Sequence, residues 1–128
     1  MFFNTSVPIL GTEWAIRIIH AREDRRLSDC DGYTDKTSKL IVVDDCRDRS
    51  NFDEPMTYIR KVVRHEIIHA FMLESGLDEC LMHKDMGQEE QIIDWFAYQY
   101  PKIKKVIDSV ELQITQAELK QVEDDGDG

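Results

Sequence analysis

The sequence predicts an α+β domain: a small sheet of about three antiparallel strands in the N-terminal half, packed on a long helix and on a second helix behind it. Strand-favouring residues concentrate in the first third of the chain, and helical periodicity takes over after Asp53. No internal repeat and no Pro- or Gly-rich linker divides the two halves. At 128 residues, 41% hydrophobic and 33% charged, the chain has the length and composition of one domain with its own core. That domain is expected over residues 1–122, followed by an acidic and disordered tail at 123–128.

The opening MFFNTSVPILG is interrupted by Asn4, Thr5, Ser6 and Pro8 and has no basic stretch, so it reads as a poor signal peptide. Glu13 to His20 is the first predicted strand, with Trp14, Ile16 and Ile18 on one face. Ala21 to Asp31 is too charged for a core and reads as an exposed connection. Asp35-Lys36-Thr37 turns a short strand near Gly32 to Thr34 into a stronger one at Lys39 to Val43.

Asp53 is a plausible N-cap for the long helix, with Glu54 and Pro55 in its first turn. Ile59, Val62, Val63, Ile67, Ala70 and Phe71 recur at helical spacing, and Gly76 stands where a C-terminal glycine belongs. A second helix is expected from about Gln88 to Tyr98, stopped by Pro101. A third would run from Pro101 through Val110, and Thr115-x-x-Glu118 resembles a capping box for a last short one.

The formal charge is −10, from 26 acidic against 16 basic residues. A general nucleic-acid binder would show the opposite balance, so direct nucleic-acid binding is not expected. No apolar run is long enough to span a membrane. Cys30, Cys46 and Cys80 stand far apart and odd in number, which suggests no disulfide framework and a reducing, cytoplasmic setting. They read as small buried hydrophobes.

Within the long helix stands His65-Glu66-Ile67-Ile68-His69, an H-E-x-x-H motif. Residues four apart share a helix face about 6 Å apart along the axis, so both imidazoles can converge on one ion. Zinc accepts imidazole nitrogen at about 2.0–2.1 Å, and a rigid helix presets the two ligands. Glu66 stands close enough to act as general base on a water at that ion without ligating it. Chance alone would produce this pattern in about one chain in a hundred, so the rest of the site has to be sought. A catalytic zinc needs a third protein ligand, and Gln88-Glu89-Glu90-Gln91-Ile92-Ile93-Asp94 supplies candidates on the second helix. Glu90 and Asp94 are four apart on one face. Glu90 would complete a His₂Glu set, and Asp94 could accept a ligand imidazole N–H and fix its tautomer. Only the pairing with Asp94 favours Glu90 over Glu89.

HEIIH followed some twenty residues later by E-x-x-x-D resembles the gluzincin zinc metallopeptidases. The wider runs RHEIIHAFMLESGL and EEQIIDWFAYQYPKI are similar to small phage- and prophage-associated metallopeptidases of the ImmA/IrrE-like or minimal gluzincin kind. The resemblance covers roughly residues 12–105. It implies one zinc ion per chain held by His65, His69 and Glu90, Glu66 as base, and Asp94 behind a histidine. It further implies hydrolysis of a peptide or protein substrate in the cytoplasm, the host's if the chain is phage-encoded. The larger members carry a tyrosine or histidine that steadies the tetrahedral intermediate. His83, Tyr33 and Tyr98 are candidates here, without a clear match.

The expected function is therefore a zinc-dependent metallopeptidase, an endopeptidase. Residues Lys39, Leu40, Ile41, Val42 and Val43, if they form a sheet edge, would bind an extended peptide by strand addition. The alternative is a catalytically silent, zinc-stabilised phage or regulatory interaction protein, and a metal-free adaptor with a fortuitous motif is a third reading. Each candidate also has a plain structural role open to it. Glu90 suits any helix start, His20 the outer face of a strand and His83 a loop. Trp95 and Phe96 would pack beneath the motif helix. The sequence does not give the oligomeric state.

Overall fold

Four strands form one mixed sheet in the order β1-β2-β4-β3, and two long helices cover one of its faces. The computed structural model describes residues 3–49, 51–80 and 88–126, without the side chains at 80, 88–90, 93 and 126. The strands are β1 (Phe3–Ile9), β2 (Thr12–Ile19), β3 (Gly32–Asp35) and β4 (Leu40–Asp44). The helices are α1 (Pro55–Glu74), a single turn α2 (Leu77–Cys80) and α3 (Gln88–Gly126). The α+β class holds, with one strand more than expected.

That extra strand is β1. Phe3, Val7 and Ile9 are buried on its inner face, a period of two that the polar residues between them mask in the sequence. Pro8 is admitted because β1 is an edge, where a missing N–H costs no ladder bond. Leu10 and Gly11 make the two-residue turn into β2, both at positive φ (49° and 87°). That is the twist a tight hairpin requires. β2 and β4 are parallel, with Ile16 opposite Ile41, so the sheet is mixed rather than wholly antiparallel. Residues 21–31 carry the chain back, through two 3-10 turns, before the β3–β4 hairpin begins.

Trp14, Ile16 and Ile18 share the buried face of β2, as the alternation predicts. They meet Ile41 and Val43 of β4, the whole expected stripe of α1, and Ile103, Val110 and Ile114 of α3. Ile19, Val42 and Leu27 close a smaller cluster on the opposite face. Pro55 opens α1 at its first position, and the N-cap is Glu54 rather than Asp53, with no side-chain capping bond. At the other end Gly76 takes φ 81°, and its N–H reaches the Leu73 carbonyl, as a glycine stop should.

α3 departs most from expectation. It is one helix through Pro101, where separate helices are predicted, and it continues through Gly126 into the expected tail. A mid-helix proline costs about 3 kcal/mol or more. Burying a side chain such as Ile103, Val110 or Ile114 returns about 1.5–3 kcal/mol each, which outweighs it. No helix among the described residues is long and apolar enough to cross a membrane. Cys46 is buried, and burial pushes its thiol up to about 11, whereas Cys30 is exposed against expectation. The Cys80 side chain lies outside the described residues.

Glu74 ties the end of α1 to the sheet. Its carboxylate accepts from Trp14 Nε1 at 2.8 Å and Thr12 Oγ1 at 3.2 Å, with Lys39 Nζ at 2.9 Å. Burial raises its pKa, but the hydrogen bonds from Lys39, Trp14 and Thr12 and the Lys39 charge outweigh that and hold it below its ordinary value. A depressed folded-state pKa contributes stability above the unfolded value, lost as pH falls through the folded one. Glu74→Gln should therefore flatten the fall in urea midpoint between about pH 5 and pH 3. Glu74→Ala, which strands the Trp14 N–H, should cost about 1–3 kcal/mol at neutral pH.

Candidate functional site

His65, Glu66 and His69 occupy the flank of α1 that faces strand β3. The helical phase explains their different environments. Glu66 falls beside Val62, Val63, Ile67 and Ala70 on the buried stripe and is only 7% exposed. His65 and His69 fall at its rim, the former with 57% of its side chain exposed. Their Nε2 atoms converge to 3.1 Å, with the rings edge to face at 4.8 Å. An ion about 2.0–2.1 Å from both nitrogens would be subtended at roughly 100°, near the tetrahedral angle, so the donor pair fits half of a zinc site.

The buried carboxylate is held from the sheet. Thr34 Oγ1 lies 3.0 Å from Glu66 Oε1 and 3.1 Å from the Glu66 carbonyl oxygen, so one hydroxyl hydrogen serves both acceptors. Glu66 Oε2 points toward the histidines, 4.0 Å from His65 Nε2. β3 comes this close because Gly32 has no side chain: a Cβ there would stand 2.8 Å from Val62 Cγ1 and 3.2 Å from the Val42 carbonyl oxygen.

The three motif residues open into a cavity of about 440 Å³ walled by Gly32, Tyr33 and Thr34 of β3, by Leu73, and by Asp78 of α2. A smaller space of about 200 Å³ adjoins it past Gly32, toward Asp31, Tyr58 and Lys61. Tyr33 is not placed to steady an oxyanion. Its hydroxyl donates to Asp24, and burial together with that bond pushes its pKa up to about 12. Tyr98 is exposed on α3 and does not line the cavity. His20 caps a 3-10 turn, its Nε2 2.8 Å from Asp48, rather than sitting on a strand face. His83 lies outside the described residues.

Two expectations need correction. Lys39 to Val43 is no edge: Leu40 to Asp44 pairs with β2 on one side and β3 on the other, and Lys39 turns its ammonium to Glu74. The edge beside the motif is β3. The helix register bears on the Glu90 and Asp94 expectation as well. Arg60 and Arg64 of α1 meet Glu111, Thr115 and Glu118 of α3, while Trp95 Nε1 donates to Ser75 Oγ at 3.0 Å. The helices are thus antiparallel, and at 1.5 Å per residue Glu90 stands roughly 16 Å along the axes from the level of His69. Its side chain lies outside the described residues. Asp94 is exposed and makes no hydrogen bond to either imidazole among the described residues. Among those residues no third His, Cys, Asp or Glu completes a metal-binding group. Trp95 packs against the core beside α1, whereas Phe96 is 41% exposed at an apolar cavity that Ile68 and Met72 of α1 also line.

Sequence reasoning missed Thr34, Gly32 and Asp78. Thr34 and Gly32 become visible only when β3 is known to abut α1, and Asp78 carries no spacing signal. Comparison with family models, with curated proteins and with solved structures gives no match to this chain.

Thr34→Val removes the Glu66 donor while keeping the shape, and should destabilise the protein by about 1–3 kcal/mol in urea unfolding, with Thr34→Ser near wild type. Gly32→Ala should cost a similar amount, about 1–3 kcal/mol, by forcing β3 off α1.

Proposed function

We propose that this chain is a zinc-dependent metallopeptidase whose site lies between α1 and the edge strand β3. The observation that carries the reading is the convergence of the His65 and His69 nitrogens to 3.1 Å beside a buried carboxylate, in an open cavity. His65 and His69 would hold the metal with one further carboxylate. The sequence pattern nominates Glu90 for it, which the helix register sets far along the axes from His69, and the cavity wall nominates Asp78, whose carboxylate would have to turn toward the histidines to ligate. Zinc held there would supply a Lewis acid that polarises the scissile carbonyl and lowers the pKa of water.

The chain's own groups do the rest. Thr34 anchors one Glu66 oxygen and leaves the other directed to the histidines, so the carboxylate needs no reorientation to accept a proton from the attacking water. Glu66 then returns that proton to the leaving amine. β3 pairs only with β4 among the described residues, and its outer edge offers backbone groups to an extended peptide. Backbone recognition of that kind tolerates many sequences, leaving selectivity to the cavity walls.

Glu66→Gln should keep zinc and lower peptide hydrolysis at least about 100-fold, measured by peptide cleavage and by metal analysis of the same sample. His65→Ala and His69→Ala should each lose the metal. Chelation should abolish hydrolysis and added zinc restore it. Zinc affinity of Asp78→Ala and Glu90→Ala, compared side by side, identifies the third ligand. Zinc retained by a wild-type protein that cleaves nothing would favour the silent, zinc-stabilised alternative.

A further inference from the structure

Lys61, His65 and His69 follow one another at four-residue spacing along α1, so they share one ridge of the helix. Lys61 therefore stands one turn, about 6 Å, before the first motif histidine. The space of about 200 Å³ past Gly32 connects them. His65 and Glu66 line it at the motif, and Lys61, Tyr58 and Asp31 line it farther along.

The bonding of these walls leaves one charged group unused. Asp31 accepts from the Tyr58 hydroxyl and pairs with Arg49, which offsets its charge. Glu66 accepts from Thr34, and the His65 and His69 nitrogens face each other. Lys61 has no carboxylate partner among the described residues, its Nζ lying only over the Tyr58 ring, 5.8 Å from the centroid. Asp53 and Glu54 share a neighbouring space with Lys61, yet neither forms an ion pair with it.

The geometry points to Lys61 as a specificity-determining residue that takes a carboxylate of a peptide lying along β3. This rests on the peptide-binding reading of the site given above. An extended peptide advances about 3.3 Å per residue, so the position facing Lys61 lies about two residues from the bond over the histidines. Positions two apart share one face of the added strand, which directs both toward α1. A singly charged carboxylate suits the space better than a phosphate. Asp31 and Glu66 oppose each further negative charge there, and one ammonium offers no fork of donors. An Asp or Glu side chain and the C-terminus of the peptide present the same group to Lys61.

The test is a set of short peptides, capped at both ends, in which a single Glu, Gln or Lys is moved through successive positions. Their binding to the full chain carrying Glu66→Gln, which keeps them intact, is read by fluorescence anisotropy with zinc supplied. Glu at one position should bind about fivefold tighter than Gln there, and less so at high salt. Adding Lys61→Ala should abolish that difference, and adding Lys61→Glu should turn it toward the Lys peptide. Lys61 is exposed, so melting should not change. A preference found only in peptides that end there with a free carboxylate, and lost on amidation, identifies the chain terminus as the ligand. A preference in the capped set identifies the side chain. Equal binding of the charged and neutral members of both sets overturns the assignment, as does a preference that survives Lys61→Ala, or a chain that binds none of them. Cleavage by the wild type is scored separately. Lys61-dependent binding without cleavage upholds the role of Lys61 and removes the peptidase reading, whereas cleavage indifferent to charge does the reverse.

Discussion

The close approach of the edge strand β3 to α1 sets the position of everything else at the motif. Gly32 makes it feasible: any larger residue would collide with Val62 and with the neighbouring strand's backbone. With the two elements in contact, the Thr34 hydroxyl reaches a carboxylate that belongs, by helical phase, to the apolar stripe. A carboxylate among Val62, Val63 and Ile67 is costly to bury without a donor. Its persistence there is explained by Thr34 on one side and by the open cavity on the other.

Stability and site share α1 but use different parts of it. The C-terminal end is pinned by Glu74 to Trp14, Thr12 and Lys39, and its outer flank by Arg60 and Arg64 to α3. The histidines sit between these anchors on a helix clamped at both ends. A metal site benefits from such rigidity, because ligands held at the right bite lose little freedom on binding.

Much of this was legible in the sequence wherever one local period dominates. The stripe from Ile59 to Phe71, the glycine stop at Gly76 and the buried face of β2 follow from spacing and from backbone chemistry. β1 was obscured because Asn4, Ser6 and Pro8 break the apolar signal although the inner face is intact. Pro101 suggested a helix end because its local cost is real. The compensating burial of Ile103, Val110 and Ile114 in the core, where α3 packs on β1 and α1, is a property of the assembled fold. The place of Lys39 to Val43 inside the sheet was likewise hidden, since an apolar strand reads the same at an edge or a centre. At the site, HEIIH announced His65, Glu66 and His69. The partners from β3 and α2 are contributed by tertiary contact, with no motif to reveal them.

The central claim is that two imidazoles on α1, with a carboxylate, form a hydrolytic zinc centre. Zinc-edge X-ray absorption on the purified chain tests it most directly. The account predicts one zinc per chain with a first shell of nitrogen and oxygen only, at about 2.0–2.1 Å, and outer scattering from two imidazoles. A sulfur-containing shell, or folded protein that retains no zinc when zinc is supplied, would contradict it.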